Sequence, residues 1–162
     1  MKIGVISDTH IPERAEEIPG VILDDFKGVD LIIHAGDLVE LKVLDKLSKA
    51  CAKVKAVWGN MDPLEVRDKL PQKEIISLAN CKIGVMHGFG HPDNLPQLMA
   101  DEFKNQGIQV VIFGHSHRPF NEKIGGVLYF NPGSPTDKVF SPYNSYGILE
   151  INDTIKGRII RI

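Results

Sequence analysis

Cysteine is almost missing from this chain of 162 residues. Only Cys51 and Cys81 occur, and neither belongs to a Cys-x-x-Cys pair. That excludes a disulfide framework and suits a reducing compartment. An excess of charge is missing too: the formal net charge is −2, so no general attraction for nucleic acid or an anionic membrane is implied. Any anion bound here must be held by a local device. No apolar run approaches the ~18 residues of a membrane span. The opening run is broken at Ser7 and Asp8, short of the ~7 to 15 apolar residues of a signal-peptide core. The expected location is therefore the cytoplasm. Repeats, low-complexity tracts and linkers are also lacking, and 43% hydrophobic with 25% charged residues is the balance of a globular core. A single domain over residues 1–162 is expected.

Residues 3–6, 31–35 and 54–58 are short, mostly β-branched apolar runs, the pattern of buried strands. Between them lie helical candidates at 21–26 and 39–47, where Val39, Val43, Leu44 and Leu47 fall at helical spacing. This β-α-β-α-β series predicts an α/β fold with a largely parallel sheet. Strands are then expected at 75–78 and 82–86, separated by Ala79-Asn80-Cys81, followed by a helix from 95 to about 105 and a strand at 110–113. The remainder reads as nearly all β. Gly125-Gly126 separates 121–124 from 127–130, and Asn152-Asp153 separates 147–151 from 155–162; both dipeptides are hairpin signals. The loop at 132–143 is too short to divide domains.

The residues following these strands carry chemistry. They are Asp8-Thr9-His10, Gly36-Asp37, Gly59-Asn60-Met61-Asp62, His87-Gly88 and Gly114-His115-Ser116-His117. Strand carboxyl ends of an α/β sheet face a common crevice, so groups distant in sequence can meet there. Taken singly, each group reads as a turn. What turns do not explain is that four of the six histidines stand at strand ends. Oxygen from Asp8, Asp37 and Asn60 with imidazole from His10, His87, His115 and His117 suits Mn, Fe, Co, Ni or Zn. Seven donors without a thiolate suffice for two ions with positions left open, which is a catalytic rather than a structural arrangement. His34 reads as a core or supporting histidine. His91 is divided between surface and site rim, and Arg118 between a phosphate contact and a solvated position.

Together these groups resemble, in order, the signature of the calcineurin-like metallophosphoesterases. The small size and the sequence Asn131-Pro132-Gly133-Ser134 are similar to the YfcE-type phosphodiesterases of that superfamily. The resemblance implies a four-layer α/β sandwich with two mixed β-sheets flanked by helices. It implies one metal on Asp8, His10, Asp37 and His117, a second on Asp37, Asn60, His87 and His115, and Asp37 bridging them. Asn60, Asp62 and His87 take catalytic roles in this reading. The cofactors are two divalent transition-metal ions, manganese first, with nickel, cobalt, iron or zinc as alternatives, and the substrate is a small phosphodiester attacked by metal-bound hydroxide. A phosphomonoesterase, or a non-enzymatic scaffold resembling the retromer subunit of this fold, is the alternative, and a homo-oligomeric dimer or tetramer is implied by family likeness alone. The chain departs from the wider superfamily at Met61, where a histidine is common. A thioether donates no proton, leaving Asp62 to orient a water or another histidine.

Overall fold

The computed structural model describes residues 1–78 and 81–162. Of the separator expected between two strands, Ala79 and Asn80 lie outside the described residues. The first sheet contains β1 (Lys2–Ile6), β2 (Leu31–His34), β3 (Val54–Ala56), β9 (Ser145–Ile151) and β10 (Ile155–Arg161), in the order β10-β9-β1-β2-β3. The second contains β4 (Lys73–Leu78), β5 (Cys81–Met86), β6 (Val110–Ile112), β7 (Phe120–Ile124) and β8 (Val127–Asn131), in the order β4-β5-β6-β8-β7. Both sheets are mixed. β1, β2 and β3 run parallel, as do β5, β6 and β8, while the remaining pairings are antiparallel.

Side chains alternate across a strand with period two, and here both faces are apolar. Ile3, Val5, Leu31 and Ile33 meet Ile83, Val85, Val110, Ile112 and Phe130 in the core between the sheets. The opposite faces, with Ile6 and Ile32 on one sheet and Met86 and Val111 on the other, are covered by helices. α1 (Gly20–Phe26) and α2 (Lys42–Ala50) pack on the first sheet. A short α3 (Leu64–Arg67) adds Val66 to that layer, and α4 (Leu95–Glu102) packs Leu95 and Met99 on the second sheet. The result is four layers. Close approach of helix to sheet depends on Gly4, where a Cβ would stand 2.7 Å from the Phe26 ring.

One expectation is corrected. The helix expected from Val39 begins at Lys42. Val39 instead holds a left-handed backbone (φ +73°) and pairs with Ile11, because the preceding loop is pulled inward by contacts that helical spacing cannot register. Both expected hairpins form, the second with three linking residues between Ile151 and Ile155. Gly125-Gly126 does form a two-residue turn, with φ +57° and +89°, as such a hairpin demands. No helix among the described residues is long and apolar enough to cross a membrane.

Candidate metal centre

The six parallel strands deliver their carboxyl ends to one region. The sequence anticipates five of these loops; the sixth follows β8. Backbone hydrogen bonds weave the first two together: Asp8 N–H donates to Gly36 O at 2.9 Å and His10 N–H to Asp37 O at 3.0 Å. The chain turns abruptly here. Asp8, His10, Asp37, His115 and His117 all hold positive φ, between +42° and +69°. A left-handed L-residue costs roughly 1–2 kcal/mol, so five of the seven candidate ligands sit in backbone that the surrounding contacts must enforce.

Asp8 and Asp37 are buried, at 0% and 1% exposure. The Asp8 carboxylate accepts the His115 N–H, and its Oδ1 lies 3.2 Å from His117 Nε2 and 3.7 Å from His87 Nε2. Asp37 Oδ1 accepts the Met61 N–H at 2.8 Å. Its Oδ2 is directed elsewhere, 3.2 Å from His87 Nε2 and 3.7 Å from His10 Nε2. Asp8, His10 and His117 form one compact group of donor atoms, and Asp8, Asp37 and His87 another, each within 4.8 Å. Asn60 and His115 stand farther out and bond to each other at 2.9 Å, with His115 Nε2 against the Gly90 carbonyl.

His87 tests whether this donor set fits a cation. Its Nδ1 faces the Ala35 carbonyl at 2.7 Å, so that nitrogen carries a proton and Nε2 of the neutral ring is a lone pair. That Nε2 is, among the described residues, the one buried side-chain polar atom without a hydrogen-bond partner. It is directed at carboxylate oxygen, an arrangement that needs positive charge between the groups. His10 Nε2 and His117 Nε2 likewise face one another at 3.2 Å. The residues fit a divalent cation of the borderline kind.

Without a metal, imidazolium is the counter-charge. Burial pushes His87 and His117 down, but Asp8 and Asp37 around the first, and Asp8 and Asp137 around the second, raise both to about 9. Burial alone would raise Asp8, yet His87 and His117 hold it at about 2. His10 goes the other way, since burial outweighs Asp8 and Asp37 and lowers it.

Two carboxylates hold the loops. Asp62, expected to orient a water or a histidine, instead accepts the N–H groups of Asp37, Gly59 and Val39 at 2.9, 2.7 and 2.6 Å; its oxygens are committed to backbone. Asp137 was not anticipated, because an aspartate in a loop carries no sequence signal of its own. Fully buried, it bonds to His117 Nδ1 and accepts the Val139 and Phe140 N–H groups. The Asn-Pro-Gly-Ser segment braces the site from behind: Ser134 Oγ donates to Asp8 O at 2.7 Å and Asn131 Nδ2 to Gly114 O at 2.8 Å. His91 is exposed and accepts the Asp93 N–H at a helix start. Arg118 is exposed and lines a cleft of about 370 Å³ with His10, Asp37, Asn60, His115 and His117.

A sequence profile of the calcineurin-like phosphoesterase superfamily domain matches residues 1–154. A probable metallophosphoesterase of Methanocaldococcus jannaschii is 44% identical, over 100% of this chain and 82% of that protein. Phosphodiesterase YfcE of Escherichia coli is 34% identical, over 96% of this chain and 90% of its own. Among solved structures, wild-type Vps29 of Entamoeba histolytica complexed with zinc superposes with a TM-score of 0.78 at 28% identity, covering 99% of each chain.

His34 gives a pH dependence whose sign can be worked out. It is fully buried, accepts the Gly36 N–H on Nδ1 and meets Thr9 Oγ1 through Nε2 at 3.1 Å. Burial lowers it to about 3 from 6.5. The unfolded chain therefore binds a proton that the folded chain refuses, and the stability His34 contributes above pH 6.5 is lost as pH falls toward 3, by up to about 1.4 kcal/mol per pH unit. In chelator, urea unfolding of His34→Gln is expected to show lower stability at pH 7 but a shallower decline between pH 6 and pH 4. An equally steep decline would contradict this.

Proposed function

The chain belongs to the calcineurin-like phosphoesterase superfamily, and from that membership we propose that it is a phosphodiesterase holding two divalent transition-metal ions, manganese before nickel, cobalt, iron or zinc. The observation that carries this reading is the pair of donor groups, Asp8-His10-His117 and Asp8-Asp37-His87, gathered at the floor of the cleft. Asp8, His10, Asp37 and His117 would hold one ion, and Asp37, Asn60, His87 and His115 the other. Asp37 Oδ2 faces His10 and His87, and Asp8 Oδ1 faces His10, His87 and His117, so both carboxylates reach both histidine sets; the family likeness assigns the shared place to Asp37. Such a pair would supply positive charge for the phosphoryl oxygens and would make water more acidic at neutral pH. We place the activity in the cytoplasm, on a small diester.

The chain's own residues orient and exclude. The outward Nδ1 contacts of His87 with Ala35 and of His117 with Asp137 aim both Nε2 atoms at the floor. Asp62 fixes the spacing of Asp37 and Gly59, and with it the position of Asn60. Arg14 and Arg118 line the mouth and provide charge for an anionic ester in a chain that is not basic overall. Protonation of the departing oxygen is where this site is poor. Met61 has no proton to give, the Asp62 oxygens hold backbone amides, and both His115 nitrogens are engaged.

The structural likeness to Vps29 supports a second reading, a binding scaffold. Since that protein is itself complexed with zinc, metal binding alone does not separate the two, whereas turnover does. Protein stripped with chelator is expected to lose hydrolysis of a nitrophenyl diester and to regain it with manganese, nickel or cobalt more than with magnesium, which suits imidazole poorly. Asp37→Ala should lose both metals, and His10→Ala chiefly one. Full turnover in chelator after verified metal removal would overturn the reading, metal binding without hydrolysis would favour the scaffold, and faster cleavage of a nitrophenyl monoester would make the protein a phosphomonoesterase.

The missing acid predicts strong dependence on the leaving group, with aryl diesters cleaved far faster than alkyl ones. Met61→His should raise turnover of alkyl diesters more than of nitrophenyl ones, toward the ~10²-fold that a well-placed general acid supplies. Equal leaving-group slopes in the two proteins, with metals bound in both, would show that position 61 does not mark the missing donor.

A further inference from the structure

The loop after β8 carries an aromatic ring that no part of the core uses. Phe140 is 61% exposed and lines the cleft together with Met61, itself 54% exposed. The backbone that carries the ring is nonetheless held. Asp137 Oδ2 accepts the Phe140 N–H at 3.1 Å and is the same oxygen that holds His117 Nδ1. One buried carboxylate thus bonds both the Phe140 backbone and the imidazole, and the two rings lie edge to face with centroids 6.0 Å apart. The Arg14 guanidinium, which also lines the cleft, lies 5.8 Å from the Phe140 centroid and 3.8 Å from Asp137 Oδ1.

Resting on the phosphodiesterase reading, we propose that Phe140 is a stacking platform for a planar heterocycle on one ester arm, which makes nucleotide phosphodiesters the substrate class. An exposed ring on a held backbone offers a flat π-face at little ordering cost, and a nucleobase is the ester substituent that uses such a face. An alkyl or glycerol arm gains nothing from it. A phosphate placed over His117 leaves the attached nucleoside within reach of Phe140, with Arg14 and Arg118 facing the charged backbone. Because every base has a π-face, the platform reads the presence of a base more than its identity.

Two diesters with the same leaving group test this: a thymidine nitrophenyl phosphate and a methyl nitrophenyl phosphate, assayed with manganese. Phe140→Ala should lose about tenfold more kcat/KM on the thymidine ester than on the methyl ester, mostly through KM, and Phe140→Tyr should restore it. A readout independent of turnover is titration of thymidine monophosphate into protein kept in chelator. Binding should weaken about tenfold in Phe140→Ala, and in Phe140→Trp the new indole emission should be quenched as the ligand saturates. Equal losses on both esters would overturn the platform, because damage relayed through Asp137 to His117 strikes both substrates. If wild-type protein cleaves neither ester yet binds thymidine monophosphate in a Phe140-dependent way, the phosphodiesterase reading fails and the platform stands. Binding that ignores Phe140 overturns the platform whatever the turnover.

Discussion

Two carboxylates, Asp8 and Asp37, are buried at the ends of adjacent parallel strands, where water cannot dilute their charge. Taking an ion out of water costs several kcal/mol unless charge and hydrogen bonds replace the solvent. The folded chain supplies that replacement from four directions: His87 from β5, His115 N–H and His117 from the loop after β6, His10 from the loop after β1, and the Met61 amide from the loop after β3. The two sheets are thus joined by charge at one edge as well as by the apolar layer between them.

This constraint accounts for the backbone. Side chains can converge on the carboxylates only if the loops turn back at once, which places Asp8, His10, Asp37, His115 and His117 at positive φ. Glycine is required where even a methyl group would intrude. A Cβ at Gly59 would stand 2.2 Å from Asp37 Oδ1, and one at Gly114 would stand 2.0 Å from Ser7 Oγ. Strain of this kind persists when neighbours over-determine the conformation. Asp62, Asn131, Ser134 and Asp137 do so by bonding to the loops from the side away from the cleft.

Much of this was legible in the sequence, because its signal is local. Short, mostly β-branched apolar runs marked the strands, and the Asp, Asn and His that follow them marked the crevice. Asp8, His10, Asp37, His87 and His117 do converge, with imidazole nitrogens 3.2 to 3.9 Å from carboxylate oxygens, while Asn60 and His115 lie at the rim. The supports were not legible. Asp62 reads as one more polar residue beside Asn60, and Asp137 as a loop aspartate, until tertiary contact shows which amides and imidazole they hold. The displaced start of α2 has the same origin: Val39 has helical spacing, but Asp62 takes its N–H and turns the chain. His34 was legible for the opposite reason, since a histidine inside a buried strand finds its partners close by.

We propose that this buried pair holds two ions that share one carboxylate. Electron paramagnetic resonance of protein loaded with manganese to saturation tests it directly. Two ions per chain are expected, with an exchange-coupled signal that disappears in Asp37→Ala together with both bound ions. A single ion per chain, or two ions without exchange coupling in the wild-type protein, would contradict it.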